Sequence, residues 1–250
     1  MKIVKICTLL ALLLAAGIKA SAGDFNSLCS TGQSLASLKA GQNLPKEYHV
    51  QIALNGGYAF RTARYASGLS GDYKDYLRML SRGPVYGGSV RFNVKSGFSL
   101  GLRFDRFMGS NSGYFYTYDE YGNYYEGRVS NKNYITFVGA SIGFLSACSR
   151  DGRHMLCAEG LIGYMGYLDD GEEFGYKYKM KGGTLGLGYA FGYDYRLAKH
   201  IAIGVEASYY LGALSRVTYV DENYMEEVDL GDSKEGLQRF NLLAGIRFYL

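Results

Sequence analysis

Leu185-Gly186-Leu187-Gly188-Tyr189-Ala190-Phe191-Gly192-Tyr193-Asp194 is the stretch on which the fold turns. Large apolar side chains occupy every second position and alternate with Gly, Ala and one Asp. A period of two belongs to a β-strand, whose successive side chains point to opposite faces. A water-facing strand surface is normally rich in Lys, Glu, Thr and Gln. Small residues on the second face point instead to a cramped interior, and the bulky ones to apolar surroundings.

The same alternation recurs on both sides of this stretch. Ile201, Ile203, Val205, Ala207 and Tyr209 alternate with Ala202, Gly204, Glu206, Ser208 and Tyr210, while Phe240, Leu242, Ala244, Ile246, Phe248 and Leu250 alternate with Arg239, Asn241, Leu243, Gly245 and Arg247. Upstream, Tyr48, Val50, Ile52 and Leu54 form one such set, and Val90, Phe92 and Val94 another. Phe98, Leu100, Leu102 and Phe104 then oppose Ser99, Gly101, Arg103 and Asp105 after the turn Lys95-Ser96-Gly97. Residues 133–147 and 154–168 are apolar on both faces, although Val138, Ala140, Ile142 and Phe144 define one face and Glu159 then requires an interior. The connections alternate between long (61–82, 109–132, 169–182 and 214–235) and short (around Ser96, Gly152 and Ala198). This asymmetry predicts an all-β, up-and-down antiparallel transmembrane β-barrel of about eight strands, or ten if the second long connection holds a further short pair. Tyr48, Tyr58, Tyr193, Tyr195 and Tyr209 fall towards strand ends, where aromatic girdles meet lipid headgroups.

The N-terminus reads as a secretion signal: Lys2 and Lys5, an apolar run from Ile6 to Ile18, then Ala20-Ser21-Ala22 before Gly23. The run falls short of the ~20 residues a membrane helix needs. The expected organisation is therefore a signal peptide at 1–22, a short periplasmic extension at 23–45 and a barrel at 46–250. The net charge of +4 includes Lys2, Lys5 and Lys19, so the remainder is close to neutral and offers no footprint for nucleic acid. Cys7 leaves with the signal; Cys29, Cys148 and Cys157 match no zinc spacing, and no cofactor or metal is expected. Cys148 and Cys157 flank the turn Arg150-Asp151-Gly152-Arg153, yet parity sets them on opposite faces, so a disulfide between them, or with Cys29, stays open.

From Lys46 to Leu250 the chain resembles the small bacterial outer-membrane β-barrels, of the kind represented by the OmpA transmembrane domain and OmpX. That family's assembly signal places hydrophobic residues at the last, third-, fifth- and ninth-last positions, here Leu250, Phe248, Ile246 and Leu242. The family usually ends in an aromatic residue, and Leu250 departs from that. The resemblance implies an outer-membrane location and a monomer. Its implied partners are the barrel-assembly machinery, outer-membrane lipid and lipopolysaccharide.

Parity assigns Arg91, Arg103, Glu159, Asp194, Glu206 and Arg247 to the interior, where opposite charges are expected to form a salt-bridge network because an unpaired buried charge costs several kcal/mol. Such a network is either a structural plug or a gate. Tyr114, Phe115, Tyr116, Tyr118, Tyr121, Tyr124 and Tyr125 surround Gly122-Asn123, a turn signal suggesting a protruding hairpin able to bind an extracellular protein or glycan. Asp221, Glu222, Glu226, Glu227, Asp229, Asp232 and Glu235 make the last long connection acidic, suited to divalent cations bridging to lipopolysaccharide. The first holds Arg61, Arg64, Lys74, Arg78 and Arg82, which suit lipid phosphates, and its Tyr73, Tyr76, Leu77 and Leu80 hint at a helical turn. His49, His154 and His200 all fall at the short-turn rim, away from the outer rim where barrel-borne acyltransferases, deacylases and proteases place their His. The functional expectation is a non-enzymatic structural or surface-interaction role, with a narrow pore second and an enzyme third.

Overall fold

A computed structural model describes residues 49–63, 70–95, 97–118, 121–149, 151–221, 224–231 and 234–250. The signal peptide, the 23–45 extension, Cys29, Tyr48, Arg64, Arg150, Glu222 and Asp232 lie outside the described residues. Eight strands close the wall: β1 (Val50–Arg61), β2 (Arg82–Lys95), β3 (Phe98–Tyr118), β4 (Tyr124–Ala147), β5 (His154–Glu173), β6 (Tyr176–Ala198), β7 (Ile201–Leu211) and, after the last long connection, β12 (Arg239–Tyr249). Each pairs antiparallel with the next, β7 pairs with β12, and β12 returns to β1 with Gln51 opposite Tyr249 and Tyr58 opposite Leu242. Closure leaves no unpaired edge along the wall, as a membrane-spanning sheet requires.

The two ends of the barrel differ. Short turns and the C-terminal Leu250 gather at one end, and at the other the sheet continues past the ring. β3, β4, β5 and β6 run 20 to 24 residues, about twice the span needed to cross a bilayer at a tilt. The connections at 109–132 and 169–182 are thus largely strand. Most of the 214–235 connection is strand as well: β9 (Arg216–Val220) and β10 (Met225–Asp229) form a hairpin that adds to the outer half of β6, and β8 (Ala213–Leu214) pairs with β11 (Glu235–Gly236). The ten-strand alternative places a further short pair in the second connection; that connection continues β3 and β4, and the additional short strands belong to the last one. The helical hint becomes α1 (Gly71–Leu80), N-capped by the Ser70 hydroxyl accepting from the Tyr73 amide.

Outward positions along the ring carry exposed Leu54, Leu102, Val138, Ile162, Leu185, Val205 and Ile246. So large an apolar surface on a closed wall fits lipid rather than water. Inside, two apolar layers enclose a charged one. Leu145, Met155, Cys157, Ala202 and Tyr249 pack at the short-turn end, and Phe107, Ile135, Phe137, Leu161, Met165 and Tyr210 fill the outer half. Above them α1 lays Tyr73, Tyr76, Leu77 and Leu80 against Phe115, Val129 and Phe174. Cys148 and Cys157 do not form a disulfide. The register explains this: Cys157 points inward opposite Gly192, whereas the Cys148 amide is in the turn, bonded to the His154 carbonyl.

Candidate functional site

All six charges assigned to the interior by parity lie there, each almost fully buried. Arg103 of β3 is the hub. Its Nε donates to Asp105 Oδ2 at 2.7 Å, its Nη2 donates to Glu206 of β7, and its Nη1 lies 3.5 Å from Glu159 Oε2 of β5. Arg91 of β2 reaches the other oxygen of Glu159 at 2.5 Å. Nearer the short turns, Arg247 Nε sits 2.9 Å from Asp194 Oδ1 and its Nη1 donates to Asn55 Oδ1 at 2.7 Å. Gln51 and the Tyr249 hydroxyl both donate to Asp194 as well. Room for this comes from Gly204: a Cβ there would overlap Asp194 Oδ1 and lie 2.9 Å from Arg247 Nε.

Two charges inside belong to the network without having been assigned to it. Asp105 accepts from Arg103 and from the Tyr210 hydroxyl. Arg239 donates to the Ile135 carbonyl at 2.7 Å and lies 4.7 Å over the Tyr210 ring. Both share parity with assigned residues, Asp105 two places after Arg103 and Arg239 eight before Arg247, so the signal was available. With them, Arg91, Arg103, Arg239 and Arg247 are balanced by Asp105, Glu159, Asp194 and Glu206. A charge-balanced layer between two apolar ones fills the lumen, as an eight-stranded interior allows.

At the outer end a polar chain ties α1 to the wall. The Tyr76 hydroxyl donates to Asn131 Oδ1 at 2.7 Å, and Asn131 Nδ2 donates to Asp169 Oδ2 at 3.0 Å and to the Tyr178 hydroxyl at 2.9 Å. Asn111 Nδ2 also donates to the Tyr76 carbonyl. Asp169 lies one residue beyond Leu168, the last outward apolar residue of β5. Burial pushes its carboxyl up to about 6, against the opposing pull of the Asn131 hydrogen bond and of Arg61.

The tyrosines of the β3–β4 hairpin divide between its faces. Register sets Tyr114 opposite Arg128, Tyr116 opposite Glu126 and Tyr118 opposite Tyr124, all on the outward face. Tyr116 stacks on Tyr124 at 6.1 Å, and Tyr118 meets both in edge-on contacts. Tyr125 shares the opposite face with Phe115, which is half-buried against α1, and Tyr121 stands in the turn next to Gly122, whose φ of +80° favours glycine. All six tyrosines are at least half exposed.

The acidic and basic connections are partly used up internally. Glu235 pairs with Arg61 at 2.5 Å, Glu227 and Asp229 lie near Arg216, and Arg78 pairs with Asp75. His154 and His200 stand at the short-turn end, the first 2.6 Å from the Tyr193 hydroxyl and the second 2.7 Å from the Tyr249 carbonyl. The Ser149 hydroxyl nearby accepts from the backbone amide of His154 rather than facing its ring. Leu242, Ile246 and Leu250 of the C-terminal pattern are exposed on the outer wall, and Phe248, half-buried, shares their face between Ile52 and Ile201.

No family model and no curated protein sequence matches the chain. Solved structures do match. The outer-membrane protein OprG from Pseudomonas aeruginosa is 10% identical, with 81% of this chain and 97% of that one covered at a TM-score of 0.52. Neisserial surface protein A is 13% identical over 81% and 97% at 0.44, and the outer-membrane protease OmpT from Escherichia coli 8% identical over 84% and 100% at 0.46. The OprG match, with the closed ring and the apolar outer wall, extends to the fold: this chain folds as an eight-stranded antiparallel β-barrel similar to that of the bacterial outer-membrane protein OprG.

Proposed function

We propose that this protein is a non-enzymatic, monomeric barrel of the outer membrane that holds a tyrosine-rich hairpin clear of the surface for contact with an extracellular protein or glycan. The carrying observation is the row of Tyr114, Tyr116, Tyr118 and Tyr124, exposed on one face of a hairpin that outruns the ring. Tyrosine offers a large, rigid contact area with a polar tip and loses little side-chain entropy on binding. The filled lumen supports an anchoring role over conduction. The apolar outer wall and the fold support an outer-membrane location, reached after removal of a signal peptide.

Replacing Tyr114, Tyr116, Tyr118 and Tyr124 together by Ser tests the reading. Cells displaying the unmodified protein should bind a panel of immobilised host-matrix proteins and glycans in at least one case, and the quadruple variant should lose at least tenfold of that binding at equal surface display. Equal binding by both proteins would refute the assignment of the hairpin.

A further inference from the structure

Four tyrosine pairs stack among the described residues: Tyr73 with Tyr76, Tyr116 with Tyr124, Tyr178 with Tyr219, and Tyr189 with Tyr209. Of these, only Tyr116 and Tyr124 are both exposed, at 67% and 55%, so only this pair is fully open to a reagent from solvent. The two are diagonal neighbours across the β3–β4 hairpin, because Tyr116 stands opposite Glu126 and Tyr118 opposite Tyr124. Their ring centres are 6.1 Å apart and the ring planes differ by 21°. Stacking turns the π lobes of the two rings towards each other, whereas the edge-on contacts of Tyr118 do not. The Tyr124 hydroxyl also donates to Glu126 Oε2 at 3.0 Å. A phenol sheds its proton as it loses an electron, and a hydrogen-bonded carboxylate is positioned to take that proton.

We propose that this pair is a site of oxidative coupling, at which a peroxide-driven one-electron oxidant, such as the ferryl haem of a peroxidase, joins Tyr116 to Tyr124 through a carbon–carbon bond. The inference goes beyond the binding reading and does not depend on what the hairpin contacts. Each phenol gives one electron to the oxidant; the Tyr124 proton passes to Glu126 and on to water, and the Tyr116 proton passes to water directly. The two phenoxyl radicals couple at carbons ortho to their oxygens. The ring hydrogens at those carbons leave as protons and the oxygens regain protons from solvent, which restores both phenols. In all, the protein loses two hydrogen atoms and one hydrogen peroxide becomes two waters. Exposed side chains change rotamer in picoseconds to nanoseconds, so the rings close the remaining gap while the backbone ladder holds. The product ties the two strands covalently near the tip of a hairpin whose strands contain no cysteine. Tyr176 is more exposed, at 81%, but has no ring contact among the described residues, so exposure alone does not select it.

The test exposes the full folded protein, dilute and in mild detergent, to hydrogen peroxide and a haem peroxidase. Digestion after Arg106, Glu120 and Glu126 separates Tyr116 from Tyr124, so coupling leaves segments 107–120 and 121–126 joined and two hydrogens lighter, and tandem mass spectrometry places the bond. The unmodified protein should give this intrachain product at least tenfold above any other coupled pair, that of Tyr178 and Tyr219 included. Tyr116→Phe and Tyr124→Phe, which keep the rings but form no phenoxyl radical, should each abolish it, and Tyr176→Phe should leave it unchanged. Glu126→Gln should slow coupling at least threefold. Added hydrogen phosphate, a soluble proton acceptor, should restore the rate of that variant and leave the unmodified protein unchanged, a rescue that a merely structural role for Glu126 would not give. Segments that never join, a bond placed elsewhere, coupling that survives Tyr116→Phe, a product that is a cross-linked dimer, or a Glu126→Gln rate that phosphate does not restore would overturn the inference. Since no ligand is added, failure here leaves the binding role of the hairpin standing, and cells that bind no ligand leave the coupling standing.

Discussion

At the scale of single residues, the interior was legible because parity on a strand is strict: a residue either faces the lumen or it does not. Parity finds position but not partner, which depends on how far each strand is sheared against the next. Arg103 thus meets three carboxylates at once: Asp105 on the same face of its own strand, Glu159 of β5 and Glu206 of β7. Replacing Glu206 by Gln leaves Arg103 with Asp105 and Glu159, so the loss should fall near the lower end of the about 3–5 kcal/mol typical of a broken buried pair. A lower midpoint for the heat-dependent gel shift would register it, and an unchanged midpoint would put Glu206 outside the network. Asp169 gives a pH-dependent test at the outer end. Its folded carboxyl titrates at about 6, above the ~3.9 of an unfolded chain, so the folded state holds the proton more tightly. Its contribution is therefore fully present below pH 4 and is lost as pH rises through 6. Acidifying from pH 7 to 5 should raise amide protection of α1 in hydrogen exchange, and Asp169→Asn should abolish that response.

At the scale of elements, the membrane itself decided what could be read. Within the bilayer one face must be apolar and the other small or polar, so strands there advertise themselves by contrast. Past Tyr134 and Leu168 both faces meet water or protein, the contrast disappears, and the outer halves of β3 to β6 look like loops although the ladder continues unbroken to Tyr118–Tyr124 and Glu173–Tyr176. Helix α1 was visible only as a spacing of Tyr73, Tyr76, Leu77 and Leu80, because its apolar face is completed by Phe115 and Phe174, distant in sequence. Tyr76→Phe should keep that packing while deleting the hydrogen bond to Asn131, so α1 should exchange its amides several-fold faster with the barrel midpoint unmoved. A barrel midpoint that falls as well would mean that α1 is part of the cooperative unit and not a separable cap. The two ends give a further check. A protease-cleavable tag beside Gly122 should be cut on intact cells and one beside Gly152 should not, since these turns lie at opposite ends of β4.

At the scale of the whole molecule, ring size and lumen content are coupled, and that coupling makes conduction a question the fold can answer. Eight strands enclose an interior just wide enough for side chains to fill. Here the filling is done in layers: Met155 and Tyr249 below, the arginine–carboxylate layer in the middle, Phe107, Phe137 and Tyr210 above, and α1 over the mouth. An ion crossing would have to displace apolar side chains at two levels and break buried ion pairs between them, and no single rearrangement of one residue opens all three. The unmodified protein, reconstituted in a planar bilayer, should therefore show no steady current at physiological salt and voltage. Glu206→Gln should stay equally silent while melting earlier, because it weakens only the middle layer and leaves both apolar ones closed. If instead Glu206→Gln conducts, the charged layer is a gate and the apolar layers must part with it. Large steady currents from the unmodified barrel would show that the layers do not seal, and would replace the anchoring role with that of a channel.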